Sequence, residues 1–143
     1  MKKVELNQLS KRQIELVDAA IEARKNAYAP YSNFKVGAAV LDEEDNIHTG
    51  CNIESIDYTL TSHAEMVAID AMVKSGCRNL KEIAIVLKST AYSVPCGLCR
   101  QKMVEFSNGN VSIVCVNLDS EEKIKEIFTT SLSELLPYAF KQL

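Results

Sequence analysis

The chain has 143 residues, of which 47 % are hydrophobic and 24 % are charged, and its formal net charge is −3. This length and this apolar content predict one domain spanning residues 1–143 with a substantial core. An acidic chain is a poor partner for nucleic acid, whose phosphates require clustered Lys and Arg. The N-terminal lysines precede no signal-peptide core, and no stretch approaches the roughly 20 apolar residues of a membrane span, so we predict a cytoplasmic protein without a membrane partner.

The first half of the chain predicts two helices separated by a β-hairpin. Ser10 is a suitable cap for a helix that runs to about Asn26, and apolar residues recur along it at intervals of three and four. Residues 34–41 and 47–51 predict two strands joined by a polar turn, and residues 52–61 predict a loop. A second helix begins near Ser62 and ends at Gly76.

The second half predicts further strands that alternate with helices. Residues 83–87 form a third strand, Pro95 opens a helix to about Phe106, residues 111–118 form a fourth strand, and residues 123–128 form a weaker fifth strand. Ser131 starts a short C-terminal helix or turn. This alternation predicts a three-layer α/β/α sandwich around a five-stranded mixed sheet. The link between the fourth and fifth strands has about four residues, far fewer than the dozen of a parallel crossover, so this pair must be antiparallel.

Cys96 and Cys99 lie three residues apart at the start of a predicted helix, and His63 lies at the start of another. Cysteine thiolates and a histidine are typical ligands of Zn²⁺, and the partial positive charge at a helix start favours thiolate. Three ligands rather than four leave one coordination position for water, which is the arrangement of a catalytic site. A cytosolic Cys-x-x-Cys redox pair is the competing interpretation of the cysteines alone.

Glu65 has two possible roles. Ser62 and Glu65 form the pattern of a capping box, in which the carboxylate caps its own helix. The alternative is that Glu65 moves protons for a zinc-activated water. His63-x-Glu65 followed by Pro95-Cys96-x-x-Cys99 is the signature of zinc deaminases, which favours the catalytic role.

The chain as a whole resembles the cytidine deaminases of the small homotetrameric type. The resemblance covers nearly the whole chain and depends on several motifs together: residues 27–39 (AYAPYSNFKVGAA), 50–54 (GCNIE), 63–65 (HAE), 95–101 (PCGLCRQ) and 134–140 (ELLPYAF). It implies an enzyme of pyrimidine salvage that converts cytidine or deoxycytidine to uridine or deoxyuridine and ammonia. It also implies one zinc ion per subunit, held by His63, Cys96 and Cys99, with Glu65 as the catalytic residue.

The resemblance further assigns substrate-binding roles to six residues. Phe34 would pack beside the pyrimidine, the side chains of Asn52 and Glu54 would bind the ribose hydroxyl, and the backbone N–H of Ala64 would bind the ring carbonyl. Phe140 would reach the pocket of a neighbouring subunit, and Tyr58 would lie near the boundary between subunits. Composition alone gives Phe34 a core position, and Phe140 a loose place near the chain end.

Five residues depart from the pattern of the small enzymes. His63 and Met66 stand where Cys and Arg are usual, and the two changes are linked: three thiolates make an anionic zinc site that an Arg offsets, whereas His leaves a neutral site. The larger dimeric cytidine deaminases have His at this position. Asp57, Tyr92 and Val94 lie in regions near the pocket or the subunit contacts, so the preferred substrate is less defined than the reaction type.

Three other functions compete with cytidine deamination. The first is a deaminase of another small amino-heterocycle, such as blasticidin S or a modified cytosine nucleoside. The second is a nucleic-acid deaminase, which the acidic charge and the short link after the fourth strand disfavour. The third is non-catalytic: either a former enzyme that acts as a binding module, or a structural zinc domain, which would need a fourth ligand such as His48 or Cys51.

Overall fold

A computed structural model describes residues 1–91 and 93–141 of the chain, so the departure at Tyr92 lies outside the described residues. Its elements in chain order are β1 (Lys2–Val4), α1 (Lys11–Arg24), β2 (Val36–Asp42), β3 (Ile47–Cys51), α2 (Ala64–Ser75), β4 (Leu80–Leu87), α3 (Gly97–Glu105), β5 (Ser112–Leu118), β6 (Ile124–Ser131) and α4 (Leu132–Leu135). Within the described ranges, no helix combines the length and the apolar character that crossing a bilayer requires.

The sheet has six strands in the order β1-β6-β5-β4-β2-β3, so the predicted count of five is wrong. The missed strand is β1, which has three residues and buries only Val4, too short for a periodic signal. Because β1 shifts the numbering, the fourth and fifth strands of the structure, β4 and β5, are parallel. The antiparallel hairpin predicted for residues 111–118 and 123–128 is the pair β5 and β6.

Helices cover both faces of the sheet and divide the core into two clusters. One cluster packs α2 and α3 against the sheet, with Ile69, Met72 and Met103 fully buried. The other packs α1 against the opposite face through Leu16, Val17 and Ala20. The three-layer arrangement predicted from the alternation of elements is therefore present.

Two glycines allow the helices to approach the sheet closely. A Cβ at Gly37 would lie 2.0 Å from the backbone oxygen of Ala20 in α1. A Cβ at Gly50 would lie 2.4 Å from the oxygen of Ala64 and 2.4 Å from the nitrogen of Ala68, so the first turn of α2 rests on β3 at this glycine. Any side chain at Gly50 would displace the end of α2 that carries the candidate metal ligand.

Candidate active site

His63, Cys96 and Cys99 are brought together at the starts of α2 and α3. Their ligand atoms all lie within 4.8 Å of one another. Nδ1 of His63 lies 3.3 Å from Sγ of Cys99 and 3.4 Å from Sγ of Cys96. Among residues 1–91 and 93–141, no fourth His, Cys, Asp or Glu joins this group.

This donor set fits a zinc ion. Tetrahedral Zn²⁺ with bonds of about 2.1 Å to nitrogen and 2.3 Å to sulfur separates its ligands by roughly 3.5 Å, close to the separations between His63 and the two cysteines. Burial, together with the nearby Glu65 and Cys96, raises the pKa of the Cys99 thiol well above its usual range, because negative charges gather there. A divalent cation among these side chains would reverse that penalty and favour the thiolate.

A candidate metal ligand directly precedes each of the two helices, whereas the sequence predicted helix starts near Ser62 and at Pro95. His63 and Cys96 are the N-cap residues of α2 and α3, and both have extended backbone conformations. Pro95 therefore precedes the N-cap of α3. The prediction that Pro95 opens this helix is wrong by two residues, since the first helical residue is Gly97. In a regular helix with 3.6 residues per turn, residues 63 and 65 would point in nearly opposite directions. Because His63 precedes the first helical residue and has an extended backbone, its side chain does not have to follow this rule.

Glu65 does not form the capping box that was the alternative to its predicted catalytic role. The N-cap of α2 is His63, whose side chain makes no capping hydrogen bond, and Ser62 instead pairs with Ile53 through two backbone hydrogen bonds of 2.9 Å. Glu65 is only 6 % exposed. Burial raises the pKa of its carboxyl, against the lowering effects of its own N–H, of His63 and of Cys99. A buried carboxylate beside the metal ligands is placed to carry protons at neutral pH.

The loop of residues 52–54 joins the metal ligands to the loop that carries Phe34. The backbone of Ile53 bridges to Ser62 on one side and to Tyr28 on the other. Ser62 directly precedes His63, so this loop lies beside the start of α2. Phe34, Asn52 and Glu54, which the resemblance assigned to substrate binding, are thereby connected through Ile53 to the segment that directly precedes His63.

Asn52 is buried, and its side chain fixes the start of β2. Its Oδ1 accepts a hydrogen bond of 2.9 Å from the N–H of Val36, and its Nδ2 donates one of 2.8 Å to the oxygen of Phe34. One N–H of the amide remains for a ligand, because an NH₂ group carries two donors.

Phe34 itself is 44 % exposed, so it does not take the core position that composition alone suggested.

The carboxylate of Glu54 is held by the loop before Phe34. It accepts hydrogen bonds from the N–H of Tyr31 at 2.9 Å and of Ser32 at 3.2 Å, and also from the Ser32 hydroxyl. The bond from the Ser32 hydroxyl is the main cause that lowers the pKa of Glu54. Sequence reasoning missed Ser32, since only the meeting of two loops gives it a role.

The other predicted site residues lie at the surface or at the helix start. Ala64 is the first residue of α2, where a backbone N–H has no partner within its own helix. Tyr58 is 74 % exposed and contacts Tyr31 edge to face, with ring centroids 6.2 Å apart. Phe140 is 67 % exposed, and its backbone oxygen accepts a 2.7 Å hydrogen bond from Nε2 of Gln101 in α3.

Arg100 is a further residue that sequence reasoning left without a role. It follows Cys99, and its Nε donates a 2.6 Å hydrogen bond to the oxygen of Pro95. Its Nη1 donates a 2.9 Å bond to the oxygen of Leu135 in α4. Arg100 thus ties the loop before Cys96 to the C-terminal segment.

The remaining departures have local structural explanations. Asp57 caps a short 3-10 turn at Tyr58–Leu60, because its Oδ1 accepts a 3.0 Å hydrogen bond from the N–H of Thr59. Met66 and Val94 are half-buried and pack against the core cluster of α2 and α3. A charged side chain at position 66 would have to leave this apolar contact.

The sheet sandwiched between helices, with His-x-Glu and Pro-Cys-x-x-Cys at two helix starts, defines the class of zinc deaminases. In agreement, a family model described as "Cytidine and deoxycytidylate deaminase zinc-binding region" matches residues 10–116. Cytidine deaminase of Sporosarcina psychrophila is 40 % identical over 128 residues, which cover 90 % of this chain and 90 % of that protein. Cytidine deaminase of Halalkalibacterium halodurans is 41 % identical over 125 residues, which cover 87 % of this chain and 91 % of that protein.

Solved structures give the same result. The crystal structure of cytidine deaminase from Burkholderia pseudomallei matches with a TM-score of 0.81 and 36 % identity, covering 92 % of this chain and 100 % of that one. Cytidine deaminase from Mycobacterium tuberculosis matches with a TM-score of 0.73 and 34 % identity, covering 91 % and 98 %. The chain belongs to the cytidine deaminase family and is an enzyme.

Proposed function

We propose that this enzyme hydrolyses the amidine of cytidine and deoxycytidine, giving uridine or deoxyuridine and ammonia, and that it serves pyrimidine salvage. The observation that carries the proposal is the convergence of His63, Cys96 and Cys99 to within 4.8 Å, beside the buried carboxylate of Glu65. These three side chains would hold one Zn²⁺ per subunit. The zinc would act as a Lewis acid and would supply a water molecule of lowered pKa.

The protein's own residues would move the protons. Glu65 takes a proton from the water as the water oxygen bonds to the amidine carbon, and passes it to the adjacent ring nitrogen. Glu65 then takes the second water proton and delivers it to the amine, which leaves as ammonia when the carbon–nitrogen bond breaks. One water is consumed, and the carboxylate is regenerated with each turnover.

Binding would use the two loops and the start of α2. The free N–H of Ala64 suits a ring carbonyl oxygen, and Phe34 offers an exposed aromatic face to the pyrimidine. The Asn52 amide and the Glu54 carboxylate offer a donor and an acceptor for a sugar hydroxyl. These contacts favour a free nucleoside over a base alone.

We further propose that the enzyme is a homotetramer with shared active sites, as its resemblance to the small cytidine deaminases implies. Tyr58, Tyr138 and Phe140 are 74 %, 96 % and 67 % exposed in the single chain, so their rings are accessible to a neighbouring subunit. We assign Phe140 to the pocket of a neighbouring subunit and Tyr58 to the boundary beside it. The four active sites would then depend on assembly.

A substrate panel on zinc-loaded protein tests the proposal. Cytidine, deoxycytidine, cytosine, adenosine, a cytosine nucleoside modified on its base and blasticidin S are each followed by ultraviolet absorbance and by ammonia release. Turnover of cytidine and deoxycytidine above all others is the expected result. Turnover of blasticidin S or of the modified nucleoside alone would establish the alternative, a deaminase of another amino-heterocycle.

A further inference from the structure

Ser32 links the carboxylate of Glu54 to the backbone of Phe34, the two residues that we propose contact the sugar and the base. Its hydroxyl donates a hydrogen bond to Oε1 of Glu54 and accepts one of 3.0 Å from the N–H of Phe34. One oxygen atom thus joins the loop of residues 52–54 to the loop that carries Phe34. Within the described residues, no other side chain bonds to both Glu54 and Phe34.

The backbone around Ser32 is shaped for this link. Asn33 has a φ of 58°, a left-handed conformation that few residues other than glycine adopt, and Asn is among those that tolerate it. This turn reverses the chain so that the N–H of Phe34 returns to the Ser32 hydroxyl. The second carboxylate oxygen, Oε2 of Glu54, is held from the same loop by the N–H groups of Tyr31 and Ser32.

Hydrogen bonds to an ionised carboxylate are stronger than neutral ones, so three donors restrict Glu54 to one orientation. Orientation matters here because a carboxylate recognises a hydroxyl only along its remaining lone pairs. Loss of the Ser32 hydroxyl would leave Glu54 with two backbone donors on one oxygen and would free the other oxygen to rotate. It would also release the backbone of Phe34.

We propose that Ser32 is a positioning residue, which sets the sugar selectivity of the site by holding Glu54 and Phe34 in one arrangement. The proposal rests on the proposed nucleoside deamination. It predicts that removing the hydroxyl weakens the binding of substrates that carry sugar hydroxyls, while the metal site and the proton transfer at Glu65 are unaffected.

Steady-state kinetics of Ser32→Ala with cytidine and with 2′,3′-dideoxycytidine tests this inference. The expected result is a five- to twentyfold increase in KM for cytidine, a kcat within twofold of the wild type, and a severalfold smaller increase in KM for dideoxycytidine, because release of Phe34 affects both nucleosides whereas release of Glu54 affects only the one with 2′ and 3′ hydroxyls. Ser32→Thr, which keeps a hydroxyl, should restore most of the cytidine KM. Ser75→Ala is the matched control, since that hydroxyl bonds to the oxygen of Met72 at the far end of α2.

The outcomes separate the inference from the proposed function. A wild type that deaminates cytidine, together with an unchanged KM in Ser32→Ala, would overturn the inference alone. An equal increase in KM for both nucleosides would also overturn the inference, because it would indicate general damage to the pocket. A zinc-loaded wild type that deaminates no nucleoside would overturn the proposed function, and the role of Ser32 with it.

Discussion

At the scale of single residues, tertiary contacts determine that Glu65 lies beside the candidate metal ligands and does not cap its own helix. The pattern Ser62-x-x-Glu65 predicts a helix cap, but Ser62 is drawn into a backbone bridge with Ile53, and α2 begins at His63 instead. Glu65 is then free of capping and is buried beside Cys99. Its raised pKa follows chiefly from this burial.

We expect Glu65→Gln to retain zinc and to lose turnover. The amide has nearly the same shape but cannot accept and return a proton, so kcat should fall by about a hundred- to ten-thousandfold. Zinc content by atomic absorption and cytidine turnover are measured on the same preparation. Full activity in a zinc-replete variant would remove Glu65 from the proton path.

Cys99→Ala should lose the metal and part of the fold's stability. Cys99 is fully buried between α2 and α3, and a metal that binds only the folded chain adds its binding free energy to stability. The expected readouts are substoichiometric zinc after dialysis and a lower unfolding temperature than the wild type. Cys115→Ala, at another buried cysteine outside the cluster, is the control for loss of a thiol. One tightly bound zinc per chain in Cys99→Ala would refute the ligand assignment.

At the scale of elements, the placement of α2 depends on a glycine in the neighbouring strand. The first turn of this helix lies so close to β3 that a Cβ at Gly50 would reach backbone atoms of Ala64 and Ala68. Backbone atoms cannot rotate away as a flexible side chain can. The position of His63, one residue before Ala64, is therefore set by the packing of a helix on a strand.

Gly50→Ala should shift α2 and weaken the metal site. Overpacking of a filled interior costs about 1–3 kcal/mol, and we expect about 3 kcal/mol here because the contacts are with backbone. Urea unfolding gives the change in stability, and zinc titration gives the change in affinity. Gly109→Ala is the control, since a Cβ there meets nothing within 4 Å. Equal behaviour of the two variants would contradict the close approach.

The β2–β3 hairpin carries a buried carboxylate, Asp42, that makes stability depend on pH. Burial alone would raise the pKa of Asp42, but hydrogen bonds from His48, Asn46, Cys77 and Glu44 outweigh it and hold this pKa well below the usual 3.8. A carboxyl whose pKa is lowered by folding stabilises the protein above the unfolded pKa, and this contribution is lost as the pH falls. His48 is thus occupied away from the metal cluster, and it is not the fourth ligand that a structural zinc site would need.

Asp42→Asn should destabilise the protein at pH 7, by about 3 kcal/mol, and flatten its loss of stability below about pH 4. Urea unfolding midpoints between pH 3 and pH 7 measure both effects. The exposed Asp18→Asn variant should retain the wild-type acid dependence. An unchanged acid dependence in Asp42→Asn would show that other carboxyl groups dominate it.

At the scale of the whole molecule, the single chain leaves its proposed site open. Phe34, Tyr58 and Phe140 are all exposed, and we have proposed that they contact the base or a neighbouring subunit. The C-terminal segment is nonetheless anchored, since Arg100 bonds to Leu135 and Gln101 bonds to Phe140. An anchored segment with an exposed aromatic end is suited to insertion into a second copy.

Mixing a variant that binds weakly with an inactive variant tests whether Phe140 acts on a neighbouring subunit. Phe140→Ala chains should bind cytidine weakly, and truncation after Pro137 should do the same without removing zinc. Assembled together, Phe140→Ala and Glu65→Gln chains should regain activity at low substrate concentration, because some pockets would pair an intact Glu65 with a neighbour's intact Phe140. Glu65→Gln mixed with Cys99→Ala is the control and should gain nothing, since both residues act within one chain. No recovery in verified mixed assemblies would contradict the shared site.

The sequence by itself determined the layered α/β architecture, the antiparallel pair after residue 111 and the three candidate ligands, because periodicity, loop length and ligand chemistry are local properties. The tertiary structure decided the six-strand count, since β1 exists only by pairing with β6. It also decided that His63 and Cys96 are helix caps, that Glu65 is released from capping, and that Ser32 bonds to Glu54. Each of these features depends on contacts between segments that are distant in sequence. Such contacts produce no hydrophobic periodicity in either segment, so they cannot be predicted from the local sequence.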